Sequence, residues 1–181
     1  MRVLGISGSL RSGSHNTALL REAARHMPDH VEFTLYDGLA DVPPFDEDAE
    51  VRPAPGVERL RRALAEADAV LFATPEYNSS IPGHLKNAID WASRPFETNP
   101  FRNLPVAVMG ASTGMFGAMW AQADLRKVLA ATGARVLDAE LAVPGADHQL
   151  GGSDGLPEEL DERLAELVSG LLREVRARVA A

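Results

Sequence analysis

The feature that most constrains this chain is its alternation of short, unbroken apolar runs with longer amphipathic stretches. Val70-Leu71-Phe72-Ala73 and Val106-Ala107-Val108-Met109 contain no polar residue. A strand with one wet face alternates apolar and polar residues, so an unbroken run reads as a strand covered by helices on both faces. On this pattern candidate strands span 2–7, 31–36, 68–74, 105–110 and 135–143, with helix patterns near 16–27, 56–67, 83–93, 117–132 and 157–179. The last is the clearest, because Leu160, Leu164, Leu167, Leu171, Val175 and Val179 recur at three- and four-residue spacing. Alternating strand and helix units of this texture predict an α/β fold with a parallel, doubly wound sheet.

The 181 residues fit one compact domain spanning 1–181, and a hydrophobic share of 45% supplies its core without a disulfide or metal staple. There is no cysteine, which excludes disulfides, thiolate zinc sites, thiol nucleophiles and iron–sulfur ligation. A formal charge of −8, spread along the chain, argues against a general nucleic-acid binder. No segment approaches the roughly 18 apolar residues of a membrane span, and the first residues lack a signal-peptide pattern. The expectation is a cytoplasmic protein. The Pro- and Asp-rich stretch from Asp37 to Gly56 and the segment Pro144–Leu156 read as surface loops.

In an open α/β sheet the ligand lies beyond the carboxyl ends of the strands, where strand order reverses. Three loops in such positions have unusual composition. The first, Gly8-Ser9-Leu10-Arg11-Ser12-Gly13-Ser14-His15-Asn16-Thr17, lacks the Lys of a nucleotide-triphosphate loop and the spaced glycines of a dinucleotide fold. What remains is a hydroxyl-rich turn feeding a helix N-terminus, with one guanidinium. That composition suits a single phosphate monoester held by Ser9, Arg11, Ser14, Asn16 and Thr17. It equally suits an ordinary helix cap.

The second loop, Thr74-Pro75-Glu76-Tyr77-Asn78-Ser79-Ser80-Ile81-Pro82-Gly83, is framed by two prolines and could present polar groups to the edge of a flat heterocycle. On the helix after it, Lys86, Asn87 and Asp90 fall on or near the solvated face. The third loop, Gly110-Ala111-Ser112-Thr113-Gly114-Met115-Phe116-Gly117, is rich in small residues that let a ligand approach the backbone, with Gly114 and Gly117 free to take positive φ.

The segments GSLRSGSHN, PEYNSSIPGHLKNAIDW and STGMFG, with the later Gln122 and LRKVL, resemble those of NADPH-dependent FMN reductases, a family that includes bacterial quinone and chromate reductases and azoreductases. The likeness runs from about residue 1 to about 145, and the PEYN-to-DW run is its most specific part. It implies a flavodoxin-like fold, five parallel strands in order 2-1-3-4-5 with helices on both faces. It also implies FMN as cofactor, with NADPH or NADH as electron donor. The FMN phosphate would lie on Ser9, Arg11, Ser14 and Asn16. The isoalloxazine would run along Pro75, Glu76, Tyr77, Asn78 and Ser79, with Ser112, Thr113, Gly114 and Gly117 on its other side. Hydride would pass to flavin N5 and on to a small-molecule acceptor: a quinone, free flavin, an azo compound or a metal oxyanion such as chromate. N–H donors of the third loop would stabilise the charge that reduction places on the ring.

Relatives of this type are dimers, sometimes tetramers, so a homodimer or homotetramer is expected. Trp120 stands where some members carry Arg, and Ser79 where others carry Tyr. Both positions lie near subunit contacts in those relatives, which makes assembly and the substrate pocket the places where this chain departs.

The alternative with the same fold is a flavodoxin-type electron carrier. Such proteins usually sandwich the ring between large aromatics, and the loops here offer only Tyr77 and Phe116. A receiver-type signalling domain lacks its acidic cluster, since the first strand ends Ile6-Ser7-Gly8 and the third ends Ala73-Thr74. No histidine makes a metal site: Pro28 separates His26 from His30, His84 at a helix start either borders the pocket or, as is commoner there, is solvated, and His148 has only Asp147 beside it. Trp120 is expected at an interface.

Overall fold

The computed structural model of the protein describes residues 1–150 and 155–180, with side chains through 178. The strands are β1 (Arg2–Ser7), β2 (Glu32–Leu35), β3 (Ala69–Thr74), β4 (Pro105–Ala111) and β5 (Arg135–Val143). They form one all-parallel sheet in the order β2-β1-β3-β4-β5. Helices α1 (His15–Arg25), α2 (Pro55–Ala65), α3 (Gly83–Ala92), α4 (Met119–Ala131), α5 (Ala146–Gln149) and α6 (Glu158–Ala180) complete the described residues.

The apolar runs are explained by which helices they meet. Val70, Phe72, Val106 and Val108 point into a core with Leu60 and Leu64 of α2, Leu85 and Ile89 of α3, and Leu125 and Leu129 of α4. Their neighbours Leu71, Ala73, Ala107 and Met109 point into a second core with Leu19 and Leu20 of α1 and Leu164, Leu167 and Leu171 of α6. Every residue of β3 and β4 is buried, as a strand between two helical layers must be. The stripe of α6 from Leu164 to Val175 is core as expected, while the Val179 side chain lies outside the described residues.

Three expectations are corrected. The connection from Asp37 to Gly56 is not a plain surface loop: it folds into two short 3-10 turns and buries Leu39 and Val42 against α2 and α3. Asn87 is its anchor rather than a solvated residue. Its Nδ2 donates to Pro43 O at 2.8 Å, its Oδ1 accepts from Phe45 N at 2.7 Å, and Trp91 Nε1 donates to the same Pro43 carbonyl at 2.8 Å. Second, α4 starts at Met119, two residues later than its sequence pattern, because Gly117 (φ 55°) and Ala118 (φ 62°) both take left-handed backbone. Third, the loop after β5 contains the short helix α5, and its Gly151–Asp154 portion lies outside the described residues.

Candidate functional site

The strand order reverses between β1, which leads outward to β2, and β3, which leads the other way to β4 and β5. The three unusual loops follow β1, β3 and β4, so they share the carboxyl end of the sheet around this switch point. Between them lies an open cleft of about 230 Å³ lined by Ser9, Arg11, Ser14, His15, Asn16, Pro75, Glu76, Tyr77, Ala111, Ser112 and Thr113. Thr17, Asn78, Ser79, Gly114 and Gly117 do not line it, and His15 and Ala111 do so without having been expected to. A larger hollow of about 430 Å³ runs along α3 and α4 past Lys86, Ile89, Arg94 and Lys127, away from all three loops.

The first loop is held by its own hydroxyls. Ser14 caps α1, its Oγ accepting from Thr17 N at 3.1 Å. Thr17 Oγ1 donates to Ser7 Oγ at 2.9 Å, and Ser7 Oγ also accepts from Ser9 N. Thr17 therefore braces the loop from beneath. Arg11 is exposed, and its Nη2 contacts Gly13 O at 2.5 Å. Among the described residues, the backbone N–H groups of Ser12, Gly13, His15 and Asn16 meet no acceptor in the chain. Free N–H groups at a helix start, with hydroxyls and one guanidinium, are the donor set that a phosphate monoester requires.

Asn16 is nearly fully buried, and its side chain turns to β4. Nδ2 donates to Ala111 O and Oδ1 accepts from Ala111 N, both at 2.9 Å. The β3–β4 pairing ends at Thr74 and Gly110, so Ala111 lies one residue past its strand partner. The Asn16 amide takes the place of the missing strand and ties the first loop to the third. His84 is likewise engaged rather than solvated: its Nε2 donates to Gly8 O at 2.9 Å, joining α3 to the first loop.

The second loop closes as a tight turn, with Tyr77 N donating to Ser80 O at 3.0 Å and Ser80 N to Tyr77 O at 3.2 Å. Asn78 (φ 52°) and Ser79 (φ 59°) occupy its two left-handed central positions, one of which suits asparagine. The Glu76 carboxylate is bonded to the start of α4, at 3.1 Å from both Trp120 N and Ala121 N. In the third loop Ser112 N donates to Val143 O, and Gly114 N to Ser112 Oγ. Gly117, not Gly114, has the positive φ. A Cβ on Gly117 would lie 2.6 Å from Val143 N, so the loop needs glycine there for contact as well as conformation. Gln122 is fully buried, donates to Gly117 O at 3.1 Å, and has no partner for its Oε1 among the described residues. On the three loops and the start of α4, Leu10, Tyr77, Met115, Phe116, Met119 and Trp120 are exposed, with the Phe116 and Trp120 rings edge-on at 4.8 Å.

The cleft therefore pairs a phosphate-suited end with an end walled by Pro75, Glu76 and Tyr77 on one side and Ser112 and Thr113 on the other. The described residues contain no cluster of side chains able to hold a metal ion. They also contain no helix long and apolar enough to cross a membrane. The donor set fits the phosphate of FMN, and the space between the second and third loops, with the unengaged Thr113 N–H on its wall among the described residues, fits its ring.

Comparison with known proteins gives the same answer. The model of the NADPH-dependent FMN reductase family matches residues 1–148. An NAD(P)H-dependent FMN reductase of Pseudomonas aeruginosa is 44% identical over 96% of this chain and 92% of its own length. A quinone reductase of Escherichia coli is 38% identical over 76% of this chain and 74% of its own. Among solved structures, the flavoenzyme NAD(P)H:(acceptor) oxidoreductase FerB of Paracoccus denitrificans superimposes with a TM-score of 0.87 at 32% identity, covering 98% of each chain. The chain belongs to the NADPH-dependent FMN reductase family, oxidoreductases that use FMN with NAD(P)H.

Proposed function

We propose that the cleft at the switch point is the FMN site of a reductase acting on small-molecule acceptors, with quinones the first class to test. The observation that carries this reading is the convergence of three loops with different chemistry on one cleft. When bound, FMN supplies the redox chemistry, taking hydride from reduced nicotinamide and returning two electrons to the acceptor.

The chain's own task is binding, orientation and electrostatics. Arg11, Ser9, Ser14 and the free N–H groups at the start of α1 hold the phosphate and fix the register of the cofactor. Asn16 and Thr17 act one step back, fixing the loop that carries those groups. Pro75, Glu76 and Tyr77 set one wall of the ring site, and the left-handed turn at Asn78 and Ser79 shapes the loop that carries them. Ser112 and Thr113 set the other, on the loop that Gly114 and Gly117 shape, and the Thr113 N–H, which meets no acceptor among the described residues, is available to charge that develops on the ring. The exposed rim of Tyr77, Phe116 and Trp120 gives a flat nicotinamide, and afterwards a flat acceptor, an apolar surface to rest on.

Free flavin, azo compounds and metal oxyanions such as chromate are further acceptors under this reading. So are assembly as a homodimer or homotetramer, a cytoplasmic location, and the whole of residues 1–181 acting as one domain. The test is anaerobic. The FMN-loaded protein is mixed with NADPH, or NADH, while the visible flavin bands are followed; typical turnover of about 10 per second predicts bleaching within roughly seconds. Reoxidation by a benzoquinone then establishes the acceptor class. Flavin that binds but is bleached by neither nucleotide would point instead to an electron carrier docking on protein partners. Failure to bind FMN would overturn the proposal.

A further inference from the structure

The four N–H groups that begin any α-helix have no partner within it. In α4, whose N-cap is Ala118, the N–H groups of Met119, Trp120 and Ala121 all find partners outside the helix. Met119 N donates to Phe116 O at 3.1 Å, and the helix's own first bond runs from Gln122 N to Ala118 O at 3.0 Å. Trp120 N and Ala121 N both donate to Glu76 Oε2. The helix supplies no cap of its own: the residue before it is Ala118, without a side-chain acceptor, and its first turn contains no acidic residue. Glu76, from the loop across the cleft, takes both roles. It satisfies two orphaned donors and places a negative charge at the positive end of the helix dipole.

The contact does more than finish a helix. Just after the Tyr77–Ser80 turn, Ser80 Oγ donates to Asp124 Oδ2 at 2.5 Å, one turn further along α4. The second loop thus grips α4 on both sides of its turn. The third loop runs directly into α4 and is closed onto it by Gln122 Nε2 at Gly117 O. Glu76 therefore fixes the distance between the two walls of the cleft.

We propose that Glu76 is a positioning residue: its hydrogen bonds hold the third loop against the second, and its charge, at the cleft wall, weakens binding of reduced relative to oxidised flavin. Hydride brings one proton and two electrons, so reduction adds one net negative charge in the cleft. The amide-rich start of α4 would favour that charge. Glu76 opposes it, which keeps the bound flavin a stronger reductant than the same cleft would with a neutral cap. The electrostatic half rests on the FMN reading of this cleft; the capping half does not.

Glu76→Gln and Glu76→Ala separate the two effects. An amide oxygen can accept the same two N–H groups without the charge, so E76Q is expected to bind oxidised FMN within about threefold of the unaltered protein. Its reduced-to-oxidised affinity ratio should rise about tenfold, a shift of about +30 mV in the two-electron potential. E76A is expected to lose FMN affinity about tenfold or more. In FMN-free protein, its Trp120 and Ala121 amides should exchange with solvent at least tenfold faster, as followed by NMR. Unchanged exchange at those amides in E76A overturns the proposal outright. An E76Q potential at or below that of the unaltered protein overturns its electrostatic half, since a purely structural cap would leave the potential where it was. If the unaltered protein fails to take up FMN, the reading of the cleft falls, and exchange in the FMN-free protein still decides the cap.

Discussion

Replacing Asn16 should cost stability as well as cofactor, and the structure sets the size of the loss. The side chain is 3% exposed and makes two reciprocal bonds, both at 2.9 Å, to the N–H and C=O of a single residue, Ala111. Ala111 is itself buried and lies beyond the last β3–β4 pair, so no strand can take over. In Asn16→Ala two backbone groups lose their partners at once. Each such group costs about 1–3 kcal/mol when left unsatisfied. The adjoining cleft admits water and trims the sum, giving about 2–4 kcal/mol. For a chain of this size 1 kcal/mol moves Tm by about 2–4 °C, so a drop of roughly 5–15 °C follows. Urea unfolding followed by circular dichroism, on FMN-free protein so that cofactor binding does not add its own stabilisation, measures this directly. Asn16→Asp sharpens the test, because a carboxylate keeps the acceptor for Ala111 N but opposes Ala111 O. Its deficit should equal or exceed that of the alanine variant at neutral pH and shrink as acid protonates the new carboxyl and restores a donor. A loss below about 0.5 kcal/mol in both variants would refute the idea that Asn16 stands in for a strand.

Three further predictions use different physics. Arg11 is exposed and its side chain bonds only the Gly13 carbonyl among the described residues, so Arg11→Ala should leave unfolding within about 0.5 kcal/mol of the unaltered protein yet weaken FMN binding about 10- to 100-fold, the value of a charge-assisted phosphate contact; an unchanged dissociation constant by equilibrium dialysis would remove Arg11 from the phosphate site. Gly117→Ala combines a φ of 55° with a Cβ 2.6 Å from Val143 N, and should cost about 2–4 kcal/mol together with FMN retention; a variant that melts normally and stays yellow would show that the third loop can shift. Burial raises the Tyr36 phenol above its ordinary value, outweighing the downward pull of the Arg59 guanidinium. A folded value above the unfolded one means that this contribution to stability is intact below the ordinary phenol value of about 10 and is lost as pH rises through the folded one. In Tyr77→Phe, where Tyr36 is the sole remaining tyrosine, a phenolate titration by ultraviolet absorbance with an ordinary midpoint would contradict this.

How legible the molecule was depended on whether a residue's partner lay nearby in sequence. The apolar runs of β3 and β4 and the stripe of α6 announce two-sided burial and a helical face through short-range pattern alone, and both are found where the pattern places them. Asn87, His84 and Asn16 carry no such signal. Their partners are Pro43 and Phe45, Gly8, and Ala111, at separations of 44, 42, 76 and 95 residues. Local pattern therefore put Asn87 and His84 in solvent and Asn16 on the phosphate. A polar residue at a helix start or on a helix flank looks the same from its neighbours whether water or a distant carbonyl receives it.

The convergence of the three loops on one cleft was legible before their internal wiring was. A ligand-facing loop is marked by composition, because close approach to a phosphate or a flat ring demands small residues, hydroxyls and free N–H groups whatever the rest of the chain does. What holds such loops in register is a matter of single long-range contacts, and these fall on residue types with many other uses. Glu76 is the sharpest case. Its place in a polar turn suggests a group offered to a ligand, and it does line the cleft. Only the missing cap on α4, 44 residues away, reveals that its carboxylate is already engaged. Trp120 and Ala121, whose amides it binds, open the helix that carries the exposed Met119 and Trp120, so the cleft wall and these side chains share the Glu76 contact. A change at Glu76 should therefore be felt together by flavin affinity, flavin potential and the surface where donor and acceptor exchange, whereas a change at Arg11 should be felt by affinity alone.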